Sequence, residues 1–136
     1  MFKSWVLAAA GVLGATAVLA EDAASEFAGG RKEFLYSCAA CHGESADGNG
    51  EIAAMFKNRI PDLTEIAKRN DGVFPLLKVI QVIDGRAVVR GHGNPMPIFG
   101  SRYSAEAEDS DANLGAEAIT RGRVLDLALY LQSIQK

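Results

Sequence analysis

The pentapeptide Cys38-Ala39-Ala40-Cys41-His42 holds both cysteines of the chain and one of its two histidines. Cys-x-x-Cys-His is the spacing at which two thiols and an imidazole serve covalent haem attachment. The thiols add to the two haem vinyl groups as thioethers, and His42 follows at once as the proximal iron ligand. Three other readings compete. A zinc site needs further ligands of the right kind at close spacing, and none follows here. A thioredoxin-type redox pair needs a strand before the motif, whereas residues 31–37 carry a helical pattern. A plain disulfide is open to any exported chain. The haem reading alone uses all three side chains. No second such motif occurs, so a single covalent haem c is the expected cofactor.

Toward the N-terminus, Met1-Phe2-Lys3-Ser4 is a short, weakly positive head, and residues 5–20 carry no charge. Val18-Leu19-Ala20 places small or branched residues before the polar start Glu21-Asp22. This is the pattern of a secretory signal peptide, residues 1–20, without a twin arginine. The competing reading is an uncleaved anchor. Its sixteen residues would span about 24 Å as a helix, short of a hydrocarbon core of about 30 Å. Export to the periplasm, with haem added afterwards, leaves residues 21–136 as one domain of 116 residues. With Lys3 gone, 13 basic residues face 17 acidic ones. That mild acidity argues against nucleic acid and against a general membrane-surface role. After cleavage nothing is expected to embed the domain in a membrane.

Downstream the pattern is helices and loops. Residues 30–37 form a helix that carries Phe34 and Leu35 into the motif. Glu44-Ser45-Ala46-Asp47-Gly48-Asn49-Gly50 is dense in turn formers and reads as loop. Residues 52–60 are irregular or a short turn. Pro61-Asp62-Leu63 is extended. Thr64 is expected to cap a short helix through Arg69, stopped by Asn70-Asp71-Gly72. Residues 75–84 form a third helix, with proline in its first turn and Gly85 at its end. By composition residues 79–83 would also pass as a buried strand, but the proline start and Asp-Gly end favour helix. Residues 87–100 read as loop, and 101–113 as a polar, acidic stretch. Residues 114–135 form the longest helix, with Val124, Leu127, Ala128, Leu131 and Ile134 on one stripe. No alternating run is bounded by hairpin turns, so the class is all-α.

The sixth iron position separates electron carriage from ligand binding. Met96, Met55 and His92 are available to fill it. Met96 sits in Pro95-Met96-Pro97, where two rings stiffen the loop and keep Met96 out of the α region. A weak thioether bond loses less entropy in a loop that already holds its shape. Met55 lacks that support, and His92 is the alternative, beside two glycines. A gap-filling core methionine is the ordinary role for such a residue.

Taken together, the chain resembles a small class I cytochrome c of the bacterial, periplasmic, single-haem kind, over essentially all of residues 21–136. Gly30-x-x-x-Phe34-x-x-x-Cys38 resembles that family's first helix, and Leu127 with Tyr130-Leu131 resembles its last. The resemblance implies a cytochrome c fold, with several helices around one covalent haem and the N- and C-terminal helices crossing. Gly30 would let the backbones approach, and Phe34 would pack beside Leu127 and Tyr130. Pro61-Asp62-Leu63-Thr64 resembles a stretch in which the proline carbonyl accepts the haem histidine's Nδ1 proton. Met96-Pro97-Ile98-Phe99-Gly100 resembles the distal ligand loop. One departure is that the only tryptophan, Trp5, lies in the leader, so Phe99 or Tyr103 would fill the space near that loop.

The implied activity is one-electron carriage between redox-partner proteins, with iron held by His42 and Met96 and no catalysis. An electron-entry subunit of a dehydrogenase or oxidase complex is one alternative. A ligand-binding haem protein with an open sixth position is another. Glu106, Glu108, Asp109 and Asp111 read as a solvated surface loop, or as a docking patch for a basic partner. Arg86, Arg90, Arg121 and Arg123 read as solvated, or as neutralising haem propionates.

Overall fold

The computed structural model describes residues 26–86, 96–109 and 115–136. The expected leader, His92, Arg90 and residues 110–113 of the acidic stretch lie outside the described residues. Among the described residues the fold is all-α. It comprises α1 (Ala28–Ser37), α2 (Ala39–His42), α3 (Leu76–Asp84), α4 (Phe99–Glu108) and α5 (Ala116–Ser133), with short 3-10 turns between α2 and α3. No described helix is long and apolar enough to cross a membrane.

α1 buries Gly30 and Phe34, one turn apart, on a single face. It breaks at Cys38, whose φ of −120° leaves the helical range while its N–H still bonds the Phe34 carbonyl at 2.8 Å. The chain then resumes as α2. The glycine-rich loop folds back under this one-turn helix. Gly48, Gly50 and Ile52 donate their N–H groups to the carbonyls of His42, Cys41 and Ala40, at 2.8, 3.2 and 3.1 Å. Those carbonyls have no partners within the helix, so the loop supplies them.

The segment after Pro61 differs from expectation. The cap is Asp62, not Thr64. Asp62 Oδ1 accepts from the Thr64 N–H at 2.8 Å and from its hydroxyl at 2.6 Å. Asp62 has extended backbone, the conformation a capping residue takes, and Thr64 is already inside the turn. In place of one helix there are two 3-10 turns, Leu63–Glu65 and Lys68–Asn70. The C-terminus docks here. The Gln135 side chain bonds Ala67 N–H and Leu63 C=O, both at 2.8 Å, and Lys136 N–H bonds Thr64 C=O at 2.9 Å.

α3 is a helix and not a strand. It buries Val79 and Ile83, four residues apart, and ends at Gly85 with φ of 84°. A side chain at Gly85 would also press on Ile98, whose Cγ1 lies 3.1 Å from the position a Cβ would take. α4 corrects the loop expectation for residues 99–108. Phe99, Tyr103 and Ala107 recur every fourth residue and are buried, an apolar stripe hidden among acidic neighbours. α5 buries Val124, Leu127, Ala128 and Leu131 from the expected stripe, with Thr120 and Tyr130 added.

α5 is the central element, packed most extensively on α1 and α4 and then on α3. At Gly30 a β-carbon would overlap the backbone carbonyl of Asp126 and lie 2.8 Å from Tyr130 Cβ. The two backbones touch there, and Phe34 and Tyr130 pack with ring centroids 5.6 Å apart. Gly30→Ala must therefore part α1 from α5. Overpacking of this kind costs about 2 kcal/mol, or about 10 °C in a domain of this size. Thermal unfolding followed by circular dichroism checks this; an unchanged midpoint would contradict the close approach.

Candidate functional site

His42 closes α2 and is buried. Its Nδ1 lies 3.2 Å from the Pro61 carbonyl oxygen. A carbonyl can only accept, so Nδ1 carries the proton and Nε2 keeps its lone pair. Burial lowers the His42 pKa, against a smaller opposing effect of the Pro61 bond, and favours the neutral ring. Neutral imidazole is the form that binds a metal, and the bond to Pro61 fixes its orientation.

Two cavities flank this histidine, of about 290 and 230 Å³. Cys38, His42, Val82, Met96 and Phe99 line both. The first is walled by Phe34, Val79, Ile83, Leu127 and Leu131, drawn from α1, α3 and α5. The second is walled by Phe56, Ile60, Pro61 and Pro97. Together they fall in the range of about 300–1,000 Å³ usual for cofactor pockets, with the mainly apolar lining such pockets have.

The sequence-expected residues meet here. Cys38 is buried on both cavities and Cys41, half-buried, lines the second; both thiols are free. Burial, with smaller contributions from Glu33 and Cys41, pushes the Cys38 thiol up to about 12. A redox disulfide pair needs the opposite, a thiolate made accessible by a lowered pKa. The motif also follows a helix, α1, and itself forms α2; it does not follow a strand. Met96 borders both cavities, whereas Met55 is 81% exposed and lines neither. Phe99 lines both cavities with Met96. Tyr103 lies behind it, fully buried, with the two rings 5.9 Å apart.

Of the basic residues read as solvated or as propionate partners, Arg86 and Arg121 are exposed, Arg123 is partly covered, and none of the three lines either cavity. Arg86 pairs with Asp84 and Arg121 with Glu117, and Arg123 bonds Glu33 at 2.9 Å and Glu106 at 2.7 Å. The cations that line the first cavity are Arg69 and Lys78. Glu106 does not stand as a free docking charge, since Arg102 also bonds it at 2.7 Å.

Sequence reasoning missed Glu33. Its carboxylate accepts from the hydroxyls of Ser37 at 2.6 Å and Tyr103 at 2.8 Å, and from Arg123. The Arg123 guanidinium also stacks on the Tyr103 ring, 4.0 Å from its centroid. The signal was the four-residue spacing of Phe99, Tyr103 and Ala107, which marks a buried face needing a partner for the tyrosine hydroxyl.

Among the described residues, no three His, Cys, Asp or Glu side chains are grouped to hold a metal ion by themselves. No protein-family model, no curated protein and no solved structure matches the chain.

Burial raises the Glu33 pKa, but the bonds from Ser37, Tyr103 and Arg123 and the charge of Arg123 outweigh it, leaving the group below its ordinary 4.5. A carboxyl lowered on folding stabilises the fold above its unfolded pKa, and that stability is lost as pH falls through the folded value. In wild type, unfolding free energy should therefore drop as pH falls below 4.5. Glu33→Gln should cost about 1–3 kcal/mol at neutral pH and show a shallower drop in acid. Denaturant titrations of both proteins from pH 7 downward check this. Parallel pH profiles would contradict the network.

Proposed function

We propose that this chain is a single-haem electron carrier of the class I cytochrome c kind, exported to the periplasm, with a cytochrome c fold built around the cavities beside His42. One observation carries the reading. A neutral, oriented imidazole and a methionine border the same apolar cavities, with Cys38 on both and Cys41 on the second.

The residues present fit the group. Cys38 and Cys41 would hold a haem through thioethers, and His42 Nε2 and Met96 Sδ would ligate its iron. A haem so held would supply one-electron exchange at its iron. The protein's own part is to set the conditions for it. The Pro61 carbonyl orients the imidazole and raises its basicity. Phe34, Leu127, Leu131 and Val79 exclude water, so little has to reorganise as charge changes. A soft sulfur ligand favours the reduced metal and raises the potential. Arg69 and Lys78, at the edge of the first cavity, offer charge to propionate groups. Partner proteins are the expected donors and acceptors of the electron.

The oxidised holoprotein should show the weak far-red sulfur-to-iron band of methionine ligation. Met96→Ala should abolish that band, admit carbon monoxide to the reduced iron and lower the potential, since axial ligands set potentials over a range of about 0.8 V. Absorbance spectra and a redox titration read all three. A band that survives Met96→Ala would remove Met96 from the site. Tight carbon monoxide binding by the wild type would favour the ligand-binding alternative.

A further inference from the structure

Glu33, Tyr103 and Arg123 line neither cavity, yet they join the two segments that face each other across them. α1, which carries Glu33, runs directly into Cys38 and α2. α4, which carries Tyr103, begins at Phe99, with only Pro97 and Ile98 between it and Met96. The bond of 2.8 Å from the Tyr103 hydroxyl to Glu33 Oε1 is therefore a strut between the histidine side and the methionine side. Arg123 locks the strut from α5, bonding Glu33 and stacking on Tyr103. At the other end of the methionine segment, Ile98 is seated on Gly85 at the end of α3.

From this geometry we infer that Tyr103 and Glu33 are positioning residues for Met96. Their contact sets the distance between the segment bearing Met96 and the helix bearing His42. The inference rests on Met96 being the iron ligand, as proposed above. A thioether is a weak ligand on a flexible side chain, so its hold depends on a backbone already in place. Loosening the strut adds freedom to residues 96–99 and lets a competing ligand displace the sulfur, while the apolar packing of α1 on α5 stays intact.

The test is imidazole titration of the oxidised holoprotein, read by loss of the far-red band, with the thermal midpoint measured on each sample. Tyr103→Phe keeps the ring and removes the hydroxyl. It should lower the half-displacing imidazole concentration by about 3- to 10-fold, the range expected when part of a hydrogen bond to a charged group is lost. Val124→Ala is the control, because Val124 is buried in α5, lines neither cavity and contributes only packing. At an equal or greater loss of thermal midpoint it should leave the titration within about twofold of wild type. Should Tyr103→Phe fail to accumulate, Glu33→Ala reads the same contact, with Glu33→Gln restoring an acceptor and most of the wild-type titration. If Tyr103→Phe titrates like wild type, or Val124→Ala shifts as far at matched stability, the strut does not position Met96 and the inference is overturned. A wild type without the far-red band overturns the ligand assignment itself, a separate result.

Discussion

The contact of α1 with α5 at Gly30 governs the geometry of the rest. Because the backbones touch, Phe34 is driven into the space beside Tyr130, and the chain leaving α1 is aimed so that Cys38 and His42 face the cavity walled by α3 and α5. α5 then serves three neighbours at once. Its stripe of Val124, Leu127, Ala128 and Leu131 packs α1, α4 and α3, so the walls of the cavity belong to one core. A full side chain such as Phe34 contributes about 1.5–3 kcal/mol by burial. That is a large share of what a domain of this size has to spare.

Polar contacts fix what apolar packing leaves free. The Pro61 carbonyl sets the His42 ring, and the loop after α2 satisfies that helix's carbonyls. The Glu33 carboxylate accepts from three side chains, and these bonds with the charge of Arg123 hold its pKa below the ordinary value against the opposing effect of burial. Gln135 and Lys136 stitch the C-terminus to the turns after Pro61, and so the C-terminal end of α5 is anchored to the histidine side.

Much of this was legible in the sequence. The motif at 38–42, the stripe of α5 and the Pro–Gly boundaries of α3 depend on local spacing, which a sequence displays directly. Met96 could be preferred to Met55 from its two flanking prolines alone, and the cavity lining separates the two in the same sense. α4 was obscured because Glu106, Glu108 and Asp109 crowd its C-terminal end, while its buried face is Phe99, Gly100, Tyr103 and Ala107. Two of the partners of Glu33 could not be read, since Tyr103 and Arg123 lie 70 and 90 residues away along the chain. The extended backbone at Asp62 is itself the capping conformation, so an extended reading of Pro61-Asp62-Leu63 and a cap at Asp62 are the same feature.

The account stands on covalent attachment at Cys38 and Cys41, and the most direct measurement is the mass of the denatured protein made in a host that matures c-type haem. One haem retained after denaturation, and located on a peptide containing Cys38 and Cys41, is the result predicted. A haem-free mass, two hydrogens lighter than the reduced chain because the two cysteines have formed a disulfide, would contradict it.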